Sequence, residues 1–156
     1  MPNLKIDSSL LTFTEVPDEI SLCLNISNCP HRCKNCFEPW LREDRGEILD
    51  VAKLKSLFEE KKYATCICFM GGDANHAEII ELCKQFKLLY PSVKFAMYSG
   101  DDEEDQALKE ILDYYKIGHY DEECGPLNSP TTNQKFLKKD INDWWLDITY
   151  RFRKKE

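Results

Sequence analysis

Thr65-Cys66-Ile67-Cys68-Phe69-Met70 is a short, nearly unbroken apolar run, stopped by Gly71-Gly72. A run of this length with Cys and an aromatic, and without polar alternation, fits a strand buried on both faces. Such strands belong to parallel sheets, whose strands are joined by crossover connections, usually helices. The segments on either side of the run supply them.

Ile20-Ser21-Leu22-Cys23-Leu24-Asn25 alternates apolar and other residues and predicts a strand. Residues 28–40, with Pro30 and Pro39 among polar residues, read as a loop. Asp50 is placed to cap a helix whose apolar stripe is Val51, Leu54, Leu57 and Phe58. Asn75-His76-Ala77-Glu78 has the layout of a capped helix start, with Ile79, Cys83 and Phe86 on one face. Val93 to Tyr98 predicts another strand, closed by Ser99-Gly100. Leu108, Ile111, Leu112 and Tyr115 then recur at helical spacing behind an acidic first turn, and Lys116 to His119 reads as one more short strand. Leu146, Ile148, Tyr150 and Phe152 alternate with polar residues and predict a final strand. The alternation of strand and helix from about 20 to 119 predicts βα units on a mainly parallel sheet. One domain spanning 1–156 is expected, with a core of about 20–119 and a C-terminal extension of about 120–156.

At 156 residues the chain is too short for a complete eight-fold β/α barrel, which takes roughly 250. Its 28 acidic and 21 basic residues give a net charge of −7, a poor balance for holding nucleic acid by its phosphates. No stretch approaches the roughly 18 apolar residues of a membrane span. The N-terminus has no basic patch followed by a long apolar run, so a cytoplasmic protein without a membrane partner is expected. In that compartment eight cysteines point to metal or catalytic chemistry before disulfides.

Three of those cysteines fall within eight residues, Cys29-Pro30-His31-Arg32-Cys33-Lys34-Asn35-Cys36, in a loop after a predicted strand. Three thiolates at C-x3-C-x2-C spacing can wrap one four-iron cubane and leave its fourth iron open to a substrate or cofactor. A structural zinc would want a fourth ligand, from His31 or a distant cysteine, and that reading makes the chain a non-catalytic interaction module. Cys66 and Cys68 share a strand face and Cys83 sits on a helical stripe, so these read as buried structural thiols. The acidic run Asp101 to Asp105 reads as a solvated helix start.

The cysteine loop, followed one βα unit later by Gly71-Gly72-Asp73, resembles the radical S-adenosylmethionine (SAM) enzymes. The resemblance narrows to the activating proteins of anaerobic ribonucleotide reductase. It rests on the chain's size, on Pro30-His31 inside the loop, on Phe37 after the third cysteine, and on Gly125-Pro126-Leu127 and Ser129 to Lys135 near the C-terminus. Two departures stand against that pattern: Asn35 occupies the place before the third cysteine, and Val16-Pro17-Asp18-Glu19 replaces a Gly-Pro-Gly segment.

The resemblance implies an incomplete β/α barrel of about five or six mainly parallel strands. It implies a [4Fe–4S] cluster on Cys29, Cys33 and Cys36, whose open iron chelates SAM and passes it an electron, so that a 5′-deoxyadenosyl radical forms. Gly71, Gly72 and Asp73 would hold the methionine end of SAM, Asn35 and Phe37 would flank the adenine, and Ser99 would touch the cofactor. The expected reaction takes hydrogen from a glycine of the large anaerobic ribonucleoside-triphosphate reductase, with a flavodoxin-like electron donor. Asn133, Gln134 and Lys135 would meet that partner. Activation of another glycyl-radical enzyme, or a small-molecule radical reaction, fits the same residues.

Overall fold

A computed structural model describes residues 4–31 and 39–153. Eight strands form one sheet: β1 (Lys5–Thr12), β2 (Ser21–Ile26), β3 (Glu47–Ile48), β4 (Cys66–Met70), β5 (Lys94–Tyr98), β6 (Tyr114–Ile117), β7 (Lys135–Lys139) and β8 (Trp145–Asp147). Their order across the sheet is β3-β1-β2-β4-β5-β6-β7-β8. The four central strands β2, β4, β5 and β6 are parallel. Antiparallel pairs extend both edges. Three helices, α1 (Val51–Glu60), α2 (His76–Leu89) and α3 (Gln106–Ile111), lie in the connections between the parallel strands.

The two sheet faces sort residues by the period-two alternation of a strand. Leu22, Leu24, Ile67, Phe69, Phe95, Met97 and Tyr115 join the main core with Leu54 of α1, Ile79, Cys83 and Phe86 of α2, and Leu108 of α3. Cys23, Cys66, Cys68, Ala96 and Tyr114 point the other way, into a second cluster with Val16, Phe136 and Ile148. Small side chains dominate the strand positions of this second face, and the bulkier Met70, Tyr98 and Lys116 at the strand ends stand around the cavity described below.

Asp50 caps α1 as expected, its side chain accepting from the Lys53 amide at 2.8 Å. Asn75 precedes α2 without making a side-chain cap. Its ψ of 37° departs from the extended geometry of a capping residue, which turns the side chain away from the helix N–H groups. The third helix is shorter than its stripe predicts. It stops at Ile111, and Tyr115 belongs to β6, where it is fully buried on the helix-covered face. The predicted final strand is split: β8 covers Trp145–Asp147, and Thr149–Phe152 forms a 3-10 turn. The helix periodicity and the strand alternation each ran past the residue at which the chain changes direction.

The eight strands exceed the five or six expected because β1, β3 and β7 carry little periodic signal. β7, Lys-Phe-Leu-Lys-Lys, has one fully buried side chain, Phe136. Its strand geometry comes from antiparallel pairing with β6 and β8.

Candidate metal and cofactor site

The site gathers at the C-terminal ends of the four parallel strands, where open α/β sheets place their ligands. Cys29 leaves the end of β2 on an arm pinned to the segment that follows the loop. Its amide donates to the Leu41 carbonyl at 2.8 Å, the Asn28 amide to the Glu43 carbonyl at 3.1 Å, and the Ser27 hydroxyl to the Arg45 carbonyl at 2.8 Å. Cys33, Asn35, Cys36 and Phe37 lie outside the described residues.

Gly71 and Gly72 follow β4 with φ of +102° and +99°, a backbone region that side chains with a Cβ rarely enter. Gly71 lines the cavity, whereas Gly72 turns toward α2. A Cβ on Gly72 would stand 2.4 Å from Cδ1 of the fully buried Ile79. Gly72→Ala is therefore expected to lower unfolding free energy by about 2 kcal/mol, from strained backbone and overpacking together. A urea unfolding curve superimposable on the parent's would reject that account.

Asp73 is almost fully covered, with 2% of its side chain exposed, and its carboxylate is fully engaged. Oδ1 accepts from the Ser99 hydroxyl at 2.6 Å and faces Nε2 of His76 at 2.9 Å. Oδ2 accepts from the Gly100 amide at 2.7 Å and faces Nε2 of His31 at 2.9 Å. His31, from inside the cysteine loop, also meets Asp101 at 3.0 Å, and Nδ1 of His76 meets Asp105 at 2.8 Å. The loop sits so closely that a Cβ on Gly100 would come within 2.7 Å of the His31 ring. His31, Asp73 and Asp101 each offer a ligand atom within 4.8 Å of the others. Nε2 of His31 stands between the two carboxylates, so the group reads as a polar network held by close contacts.

Burial alone would raise the Asp73 pKa. Hydrogen bonds from His76, Ser99 and Gly100, with His31 nearby, outweigh it and pull the carboxyl from 3.8 down to about 2. The Asp73 bond raises His76 first, burial opposes it, and the Asp105 bond adds to the rise, from 6.5 to about 9. The stability Asp73 contributes is present above 3.8 and is lost as pH falls through about 2. The part due to His76 is complete below 6.5 and is lost as pH rises through about 9. Thermal melts should therefore show a plateau between these windows and a fall on each side, with the alkaline fall missing in His76→Gln. An alkaline fall that persists in the variant would remove His76 as its cause.

A cavity of about 970 Å³ opens beside this network. Cys29, His31, Gly71, Asp73, Ser99 and Gln134 all line it. Lys116, near the end of β6, lines it too and donates to the carbonyls of Ser99 at 3.0 Å and Gly118 at 2.8 Å. Of the three residues expected to meet a partner, Gln134 is buried in that wall and donates to the Gly118 carbonyl at 3.3 Å. Asn133 and Lys135 are exposed.

The family model for a 4Fe-4S single cluster domain matches residues 20–124, about two-thirds of the chain. The chain belongs to this family of single-cluster 4Fe–4S domains. The match runs from the first parallel strand through the last and takes in the whole cysteine loop. The 4Fe–4S cluster domain is thus an iron–sulfur protein, and its cysteine loop is the part whose ligand chemistry fits the cluster. No curated protein and no solved structure matches the chain. Among the described residues no helix is long and apolar enough to cross a membrane.

Three further cysteines of the cluster domain are buried, as their place on a strand face and a helical stripe predicts. Cys66, Cys68 and Cys83 are buried, and burial drives each thiol well above its ordinary pKa, so they stay protonated. Cys23, the register partner of Cys68 on β2, is lowered by its hydrogen bond to Cys68. The sequence reading missed His76, Asp101 and Asp105, treating the first as a helix start and the others as a solvated run. The spacing Asp73-x-x-His76 across a helix start was the available signal, since residues three apart there share a face.

Proposed function

We propose that the chain is a radical SAM activase: it cleaves SAM reductively at its [4Fe–4S] cluster and generates a glycyl radical on the large anaerobic ribonucleoside-triphosphate reductase. One observation carries this reading. Cys29, Gly71, Asp73 and Ser99, drawn from three different strand ends, line one cavity. Helices on one face and the cavity on the other also support the partial β/α barrel reading of the central parallel strands.

The donor set fits both groups. Cys29 presents a thiol on the cavity wall, and Cys33 and Cys36 of the same loop complete the three cysteines of a cubane with one open iron. Gly71, lacking a Cβ, lets a ligand approach the backbone. Asp73 is an ionised carboxylate in the cavity wall, where an ammonium would compete with its present partners, His31 on Oδ2 among them. When bound, this pair supplies one-electron cleavage of the SAM carbon–sulfur bond, releasing methionine and, once a hydrogen atom leaves the glycine Cα, 5′-deoxyadenosine; the electron comes from a flavodoxin-like donor. The chain's residues position the cofactor and exclude water. A volume at the top of the roughly 300–1,000 Å³ range of ligand pockets suits entry of a protein loop beside the cofactor.

The test is anaerobic. The protein is reconstituted with iron and sulfide, then given SAM and dithionite, and products are separated by chromatography. Formation of 5′-deoxyadenosine supports the reading, and a glycyl radical seen by electron paramagnetic resonance on the added reductase fixes the partner. Cleavage without radical on the reductase moves the target to another glycyl-radical protein or a small molecule. An assembled cluster that leaves SAM intact, with and without the reductase, overturns the reading.

A further inference from the structure

Asp73 has a back and a front. Behind it stands His76, which is not among the residues lining the cavity. Its Nε2 meets Asp73 Oδ1 at 2.9 Å, and its Nδ1 meets Asp105 Oδ2 at 2.8 Å. Asp105 is fixed in turn: its Oδ1 accepts from the Ala107 amide at 2.9 Å as the cap of α3, and its own amide donates to the Tyr115 hydroxyl at 3.3 Å. On the front, Asp73 lines the cavity with His31, Ser99 and Gly100: the Ser99 hydroxyl donates to Oδ1 at 2.6 Å, the Gly100 amide to Oδ2 at 2.7 Å, and His31 Nε2 meets Oδ2 at 2.9 Å. The charged groups facing His76 are Asp73 and Asp105, with Asp101 at 3.6 Å, and His31 shares Asp73 and Asp101 with it.

A carboxylate turns freely about its last side-chain bond unless something holds one oxygen. An imidazole held at both nitrogens does so, much as the outer partners of a metal-bound histidine fix its ring. We propose that His76, braced by Asp105, is a positioning residue that, together with the Ser99 hydroxyl on the same oxygen, fixes the orientation of the Asp73 carboxylate at the cavity wall, and so sets the affinity for the ammonium of the bound cofactor's amino-acid end. This rests on reading Asp73 as the acceptor of the SAM ammonium. His76 itself touches no cofactor. The clamp spans two connections, the one after β4 and the one from β5 to the head of α3, so helix packing sets the aim of a cavity side chain.

The test uses the cluster-loaded protein and measures equilibrium binding of two probes, SAM and 5′-methylthioadenosine, which keeps the adenosine and lacks the amino-acid end. His76→Gln should weaken SAM binding about tenfold, the order of one charge-assisted hydrogen bond, and leave methylthioadenosine binding unchanged. Asp105→Asn, which keeps the helix cap, should move SAM affinity in the same direction by less. Asp73→Asn should weaken SAM binding at least as much as His76→Gln, and the double variant should be no weaker than Asp73→Asn alone. Equal losses for both probes, or additive losses in the double variant, would overturn the positioning role and leave the radical SAM reading standing. SAM binding unaffected by Asp73→Asn would overturn it too. A parent protein that binds no SAM would bring down both readings. Thermal melts of each variant identify one that fails to fold, and Asp105→Asn then decides.

Discussion

Cys29→Ala is expected to lose its bound iron and sulfide and to form no 5′-deoxyadenosine above background. Three thiolates are the fewest that hold a cubane with one open iron, and removing one leaves a second iron without a protein ligand. Among the described residues Cys29 represents the triad, held by its amide bond to Leu41 and the pinned arm behind it. Iron and sulfide analysis and the 400-nm absorbance of the reconstituted protein report the cluster directly, and chromatography reports the chemistry. Asp73→Asn separates the two: the cluster should assemble while SAM binding falls. A Cys29→Ala protein that keeps a full cluster would show that other residues hold it. One tightly bound zinc in the parent, with no sulfide, would reverse the assignment of the loop.

Phe86→Ala should give the largest loss of stability of any single change in the helix layer. Phe86 is fully buried and packs against Phe58 of α1 at 5.4 Å between ring centroids, Tyr90 at 4.9 Å and Phe95 of β5 at 6.4 Å. It therefore ties α1, α2 and the sheet together. Truncating such a ring costs roughly 3–5 kcal/mol from lost burial and the cavity left behind. That is a large share of the roughly 5–15 kcal/mol typical of a native domain. Urea unfolding should show a lower midpoint at unchanged slope, and melting should fall by roughly 10 °C. A loss below about 1 kcal/mol would mean that the aromatic cluster closes over the gap.

The central strands and two of the helices were legible because each carries its own local pattern, a periodicity or an unbroken apolar run. β4 reads as a buried strand from five residues, and α1 announces itself by Asp50 and its stripe. β1, β3 and β7 were not legible, since they lie outside the parallel block, bury few side chains and owe their form to a neighbour's backbone. Tyr115 misled for the opposite reason: it completes a helical stripe, yet packs on the same face of the sheet as that helix, so burial gave it the same signature in either structure.

The cysteine loop, the diglycine and the acid after it were written into the sequence, because metal ligation and close backbone approach demand particular residue types at particular spacing. That spacing admits an iron–sulfur cluster, which the family match supports, and the resemblance built on it implied Cys29, Gly71, Asp73 and Ser99 as a set. What surrounds Asp73 was decided by tertiary structure alone. His31, His76 and the pair Asp101 and Asp105 come from three connections of the chain, and each has an unremarkable local reading. They become one network because three parallel strands end side by side, and only that packing brings charges so distant in sequence to within 3 Å of one another.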